Sequence, residues 1–238
     1  MLNIKEFYIT GLPIKTEIGD CEFLKVKDYP TYLLDIQTIA LGKSRIINMF
    51  NELNKDGSLS NLINKLNTYN LFEIVEVIPD IYNSYNSIFM RVFGSEDIVK
   101  NINSENFDSI RNLILDMNCI KVEEINPNQE IQRAIERSKR VKNREGENLT
   151  FEDMSSSIVA FSGKSYSDLN EMTIYQFYMT YFRIAQIKNY DTSTLFATVS
   201  SEKINIESWS KHIDLFAEEK HSISHDEFKK TTGSVFDE

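Results

Sequence analysis

Residues 172–184 read MTIYQFYMTYFRI, and their reading decides the fold. Five of the thirteen are aromatic, none is Pro or Gly, and Arg183 is the only full charge. Thr173 followed by Gln176 has the form of a capping box, which satisfies two backbone donors at a helix start. Ile174, Phe177, Tyr178, Tyr181 and Ile184 recur at helical spacing, with Tyr175, Met179 and Phe182 off that stripe. A helix apolar on nearly every side is buried on more than one side. It is expected to be a central core helix, or a core helix that keeps a Tyr- and Met-rich side for a partner. A spanning helix needs about 18 uninterrupted apolar residues. No window reaches that length, so a bilayer partner is excluded.

Working outward, Thr150 with Asp153 opens a second amphipathic segment, FEDMSSSIVAF, which Gly163 can close. Tyr166, Asp168 and Leu169 read as a short loop between the two. Downstream, Asp191 or Thr192 is expected to cap a separate helix, STLFATV. Ile206, Trp209, Ile213 and Phe216 then repeat at three, four and three residues, which predicts another helix. The last twenty residues are polar and read as a loose end.

Upstream, Asn126-Pro127-Asn128 is a helix-start signal before QEIQRAIERSKRVKNRE. That helix has a thin apolar stripe and carries Arg133, Arg137, Lys139, Arg140, Lys142 and Arg144. Three readings stand for it: a solvated helix with local Glu pairs, docking on an acidic protein, or contact with nucleic acid. A net charge of −10 opposes the last, because the whole molecule repels phosphate. Residues 129–146 are therefore read as a basic connecting helix, between an N-terminal unit at 1–128 and a C-terminal one at 147–238.

In the N-terminal unit, IKEFYIT (4–10) and CEFLKVK (21–27) alternate and read as two short strands, a hairpin or one strand and an extended arm. Pro30 suits the first turn of a helix running to Gly42, and Ser44 can cap the next one as far as Asp56-Gly57. Ser58 and Ser60 restart a helix. LFEIVEVI (71–78) reads as strand or helix ended by Pro79, and residues 80–103 give no settled pattern. FDSIRNLILDM (107–117) is amphipathic, with Phe107, Ile110, Leu113, Ile114 and Met117 on one face. The fold class is thus mainly α, several helices with a small N-terminal β-hairpin element. Its expected core includes Phe23, Leu33, Ile36, Ile110, Leu113, Ile158, Phe161, Phe177, Tyr181, Ile184, Leu195 and Trp209.

The sequence offers no catalytic, cofactor or metal motif. Asn54–Ser58 lacks the bidentate Glu that a calcium loop needs, since position 63 is Ile. His221 and His225 stand four apart without a third ligand at motif spacing. No GxSxG or Gly-rich phosphate loop occurs. Cys21 and Cys119 form no CxxC and read as reduced thiols, with Cys119 buried beside apolar neighbours. The N-terminus lacks the long apolar run of a signal peptide.

The order of segments resembles bacteriophage tail-assembly proteins, both the tail assembly chaperones of large contractile-tailed phages and the T-even-type baseplate hub assembly proteins. The features are the early GLP turn with CEFLKVKDYP, then NCIKVEEINPNQEIQRAIERSKR, FEDMSSSIVAFSGKSYSDLNEMTIYQFYMTYFRIAQ and the Trp of INIESWSKHI. Leu12-Pro13 continues here as Ile14-Lys15, where the hub-assembly relatives are expected to carry Ser, Arg and Gly. The resemblance implies a non-enzymatic chaperone of the host cytoplasm. It would bind tail proteins, such as the tape-measure protein or baseplate hub components, before assembly. The rival readings are a structural subunit of the tail or baseplate, and a small enzyme with an unrecognised site. The basic helix and the aromatic stretch supply the partner-binding candidates, Arg133, Arg137, Arg140, Tyr175 and Tyr178; oligomeric state stays open.

Overall fold

The structure is a computed structural model that describes residues 4–122, 125–126, 130–133, 135–137, 149–201 and 204–216. It is mainly helical, with one two-stranded antiparallel hairpin near the N-terminus.

The hairpin is present, but with other strands than the alternation suggests. Ile14–Lys15 (β1) pairs with Asp20–Cys21 (β2), in the register Ile14 to Cys21. Residues 4–10 are instead a helix, Ile4–Thr10 (α1). Its Tyr8 is buried against Phe23 and Tyr175, so packing overrides the local β preference. Of the predicted strand 21–27, Cys21 alone is strand, and an extended connector follows it. Glu22 N–H donates to the Val92 carbonyl at 2.8 Å, and a 3-10 turn begins at Val26.

The main core is built on Tyr29–Ala40 (α2) and Pro79–Phe93 (α6), the principal helix pair. Pro30 stands in the first turn of α2. Gly42 both ends that run and caps Lys43–Leu53 (α3), which releases Ser44 to accept a bond from Ile125 N–H at 2.9 Å. Ser60–Thr68 (α4) follows a turn in which Asp56 accepts from Ser58 N–H and Gly57 takes φ +80°. Residues 71–77 are a helix, Leu71–Val77 (α5), capped by Asn70 with Glu73. Pro79 opens α6 rather than merely ending α5, because the first turn of a helix needs no N–H from it. Glu96–Val99 (α7) and Phe107–Met117 (α8) complete this unit. Phe107, Ile110, Ile114 and Met117 are buried as the period predicts.

One charge lies inside this core. Arg111 is 4% exposed, with no carboxylate among its hydrogen-bond partners here. Its Nε donates to the Ile39 carbonyl (2.8 Å) and the Tyr85 hydroxyl (2.9 Å), and Nη2 to the Leu41 carbonyl (3.2 Å). The end of α2 thus supplies orphan carbonyls and the negative pole of its dipole to a buried cation.

The second core lies between Phe151–Ser162 (α9), Tyr166–Glu171 (α10) and Ile174–Val199 (α11). Each begins with a capping box: Thr150 with Asp153, Ser165 with Asp168, and Thr173 with Gln176. Gly163 closes α9 at φ +71°. Residues 166–171 are therefore helix, not loop. Asp191 caps nothing: α11 runs on through it for 26 residues, and Asp191 pairs outward with Lys188 at 4.0 Å. Residues 206–216 form no helix. They lie as a strap along α11, where Arg183 donates to the Trp209 and Lys211 carbonyls and Gln186 to that of Ser208. Those side chains take up strap carbonyls that a helix would have satisfied itself.

Phe23, Ile36, Ile110, Ile158 and Phe177 are buried as expected, while Leu33, Leu113, Tyr181 and Ile184 are partly buried. Phe161 (56%), Leu195 (68%) and Trp209 (51%) are exposed, which corrects their placement in the core. Phe161 ends α9, Leu195 lies beyond the reach of α9, and Trp209 is on the strap.

Candidate functional site

The start of α11 serves both cores, with Tyr175 in the first and Ile174 and Phe177 in the second, and a backbone seam lies beside it. Lys25 and Thr173 form a backbone bridge, and Val26 N–H donates to the Met172 carbonyl at 2.9 Å. Val26 itself is buried in the second core. The Glu171 carboxylate accepts from both Lys25 and Lys27 at 2.7 Å, and these bonds hold its pKa down at about 2. Asp28 pairs with Arg91, which also reaches Glu22 at 3.6 Å. Nearby, α1 ends at Gly11 with φ +71°, and a Cβ there would stand 3.0 Å from Thr173 Cγ2. Glycine thus provides both the left-handed turn and the close approach.

Two concavities open on the described surface. The first lies between α5, α6 and α7 and holds about 370 Å³. Phe72, Tyr82, Phe89, Met90 and Phe107 line it, with Glu76 and the Glu96–Lys100 pair on its rim. Its walls mix aromatic and Met90 surface, suited to apolar side chains of varied shape, with the polar groups of Glu76, Asn86, Glu96 and Lys100. The second, about 480 Å³, lies at the start of α9 on Val26, Phe151, Tyr166 and Leu169, with Glu152 and Asp153 beside them. The Asp153 carboxyl is held below its usual range by the bonds it receives at Thr150, so there it serves the helix cap.

The sequence-predicted contact residues scatter. Arg133 and Arg137 are exposed on helical turns, and Arg140 lies outside the described residues, as do His221 and His225. Tyr175 is 7% exposed, between Tyr8 and Phe216, and so is not open surface. Tyr178 is half-buried beside Tyr29, whose hydroxyl is pushed up to about 12 by burial and then by Tyr178. Among the described residues, no hydrogen bond, ion pair or ring contact joins Tyr175 or Tyr178 to Arg133 or Arg137. Sequence reading missed the first groove because it left 80–103 unsettled. The signal was there: Ile81, Tyr85, Ile88, Phe89 and Val92 keep helical spacing behind a proline suited to a first turn.

Cys21 is buried and Cys119 half-buried, which corrects the expectation for Cys119; both thiols are unbridged. Burial pushes each up to about 12, with Glu22 adding to the rise at Cys21 and Asp116 at Cys119. Neither forms appreciable thiolate at neutral pH, so neither has the character of an activated nucleophile. Among the described residues, no group of three or more His, Cys, Asp or Glu could hold a metal ion. No described helix is long and apolar enough to cross a membrane.

Comparison with known proteins gives the ancestry. A family model described as the YomV N-terminal domain matches residues 2–127, and one described as the YomV second domain matches residues 141–214. The SPbeta prophage-derived uncharacterized protein YomV of Bacillus subtilis (strain 168) is 37% identical over 225 residues, covering 94% of each chain. No solved structure matches. The chain therefore belongs to the YomV family, a phage-derived family with an N-terminal and a second domain.

Proposed function

We propose that this protein is a non-enzymatic assembly factor of the phage tail or baseplate. It holds an apolar segment of a tail protein, such as the tape-measure protein, until that segment is built in. One observation carries the reading: the aromatic and methionine-lined groove between α5, α6 and α7. A long helical tail protein exposes apolar stripes before assembly, and helix-in-groove packing covers them. Net charge of −10 keeps a loaded complex soluble. The exposed Arg133 and Arg137 offer a second, charged contact to an acidic partner. The reading places the protein in the cytoplasm of the infected cell.

The test is co-expression with the tape-measure protein of the same phage, followed by size exclusion with light scattering. A soluble complex is expected only when both chains are present. Tyr82→Asp with Met90→Lys should abolish it while far-UV circular dichroism stays unchanged. Arg133→Glu with Arg137→Glu should weaken it, more so at low salt. A tape-measure protein that precipitates equally with and without this chain refutes the reading.

A further inference from the structure

Residues 206–216 lie on α11 without a ladder of main-chain bonds. Among the described residues, no backbone–backbone hydrogen bond joins them to another element. Two polar side chains and an apolar end hold them instead. Arg183 Nη1 donates to the Trp209 carbonyl at 2.7 Å and to the Lys211 carbonyl at 3.1 Å. It also donates to Gln186 Oε1 at 2.9 Å, which turns the Gln186 amide so that Nε2 donates to the Ser208 carbonyl at 3.1 Å. At the far end Phe216 lies against Tyr8 and Tyr175, with ring centres 6.1 and 6.2 Å away, and Leu215 packs on the same core. Between these anchors Trp209 is 51% exposed and residues 210–212 face solvent.

These contacts read little of the strap's own sequence. The polar anchor takes carbonyls, which every peptide carries, with a guanidinium that has no carboxylate partner among the described residues. The apolar anchor takes one ring on a tyrosine pair. The distance between the anchors selects the backbone. From Arg183 back to Tyr175, α11 runs eight residues, roughly 12 Å at ~1.5 Å each. From Lys211 to Phe216 the strap runs five residues, which reach about 17 Å at most when extended and only about 7.5 Å as a helix. A helix falls short, whereas an extended segment running against the direction of α11 joins both anchors.

We propose that the strap is a detachable internal ligand. The channel beneath it, from Arg183 and Gln186 to Tyr8 and Tyr175, is a docking site for an extended segment of a partner protein. The segment it fits offers free main-chain carbonyls at one end and, five residues later, an aromatic side chain. The strap is itself such a segment, and its seat shows what covers this face of α11. Tethered to the end of α11 through residues 200–205, it sits at an effective concentration on the order of millimolar. A partner segment therefore binds weakly while the strap is seated and strongly once the strap is loosened. The inference does not rest on the groove between α5, α6 and α7 or on any tail protein.

A fluorescein-labelled synthetic peptide of residues 206–216, titrated into the full chain and followed by anisotropy, tests it. Phe216→Ala in the full chain loosens the strap and leaves the channel intact. The peptide should bind that variant at least about tenfold more tightly than the wild type. A peptide with serine at 207–212 should bind nearly as well, since only its carbonyls are read there, and one with Phe216→Ala should not bind. Adding Arg183→Ala to the loosened chain should weaken binding at least about tenfold while α11 persists, because alanine is a strong helix former. Leu215→Ala is the milder variant should Phe216→Ala perturb folding, and should tighten peptide binding less. With a peptide carrying Trp209→Phe, the chain's only tryptophan reports the strap, and its anisotropy should fall as high peptide concentration displaces it. Equal affinity for the wild type and both loosened variants overturns the proposal, as does binding indifferent to Arg183. Light scattering should show a monomer throughout; a strap-swapped dimer overturns it equally, because a second copy would then be the occupant.

Discussion

The core around α2, α6 and α8 gathers most of the buried side chains, whereas the one between α9 and α11 rests, among the described residues, on Val26, Met154, Ile158, Leu169, Ile174 and Phe177. The first is large enough to hold an unpaired guanidinium on helix-end carbonyls. The second borrows Val26 from the other end of the chain and begins every helix with a capping box. A large core tolerates weak local signals because burial decides the outcome; a small one needs each helix start specified locally.

The contrast is broken most strongly at Phe177, which is fully buried and stacked on Phe151 at 4.7 Å. Phe177→Ala should cost about 4 kcal/mol. Amide-exchange protection should vanish over 151–188 and persist over 79–117. Uniform loss would mean that the two cores melt as one. Next is Arg111→Met, which leaves the Leu41 carbonyl without its side-chain donor and the Ile39 carbonyl with only the Tyr85 hydroxyl at 3.3 Å, and should cost about 3 kcal/mol in urea unfolding. Here protection should fall in α2, α6 and α8 first.

A smaller effect is expected at the start of α11. Thr173→Ala removes the cap bond to Gln176 N–H and should cost about 1 kcal/mol. Thr173→Ser, which keeps that oxygen, should restore most of it. The smallest change concerns pH. Glu171 has a folded pKa of about 2, below its unfolded value near ~4.3. Its contribution is therefore complete above the unfolded value and lost as pH falls towards 2. Glu171 is exposed, so the step should be slight and should shrink further in salt. Glu171→Gln should flatten the urea midpoint between pH 5 and 2 relative to the wild type.

The same contrast explains what the sequence disclosed. Thr150 with Asp153 and Thr173 with Gln176 announce α9 and α11 because a capping box is chemistry within four residues. Ser165 with Asp168 has the same form and was passed over, since the helix behind it is only six residues long. In the first unit, Ile4–Thr10 alternates like a strand and folds as a helix, because Tyr8 answers to Phe23 and Tyr175 far along the chain. Trp209 kept helical spacing, yet its segment is a strap held by Arg183 and Gln186, a tertiary fact invisible to periodicity. Of the candidate site, Arg133 and Arg137 were legible as exposed charges. The groove was not, since it forms only when α5, α6 and α7 converge.

The seam at Lys25 and Glu171 also has a consequence in time. Its two sides are 146 residues apart. A ribosome adding ~5–20 residues per second needs roughly 7–30 s to deliver the second side after the first. Through that interval Val26 waits without its core, and both lysines wait without their carboxylate. The N-terminal helices can pack first, but the connector at 24–28 finds its place only when α11 begins to emerge. The two cores are therefore fastened together as α11 starts to emerge, long after the N-terminal helices have been made.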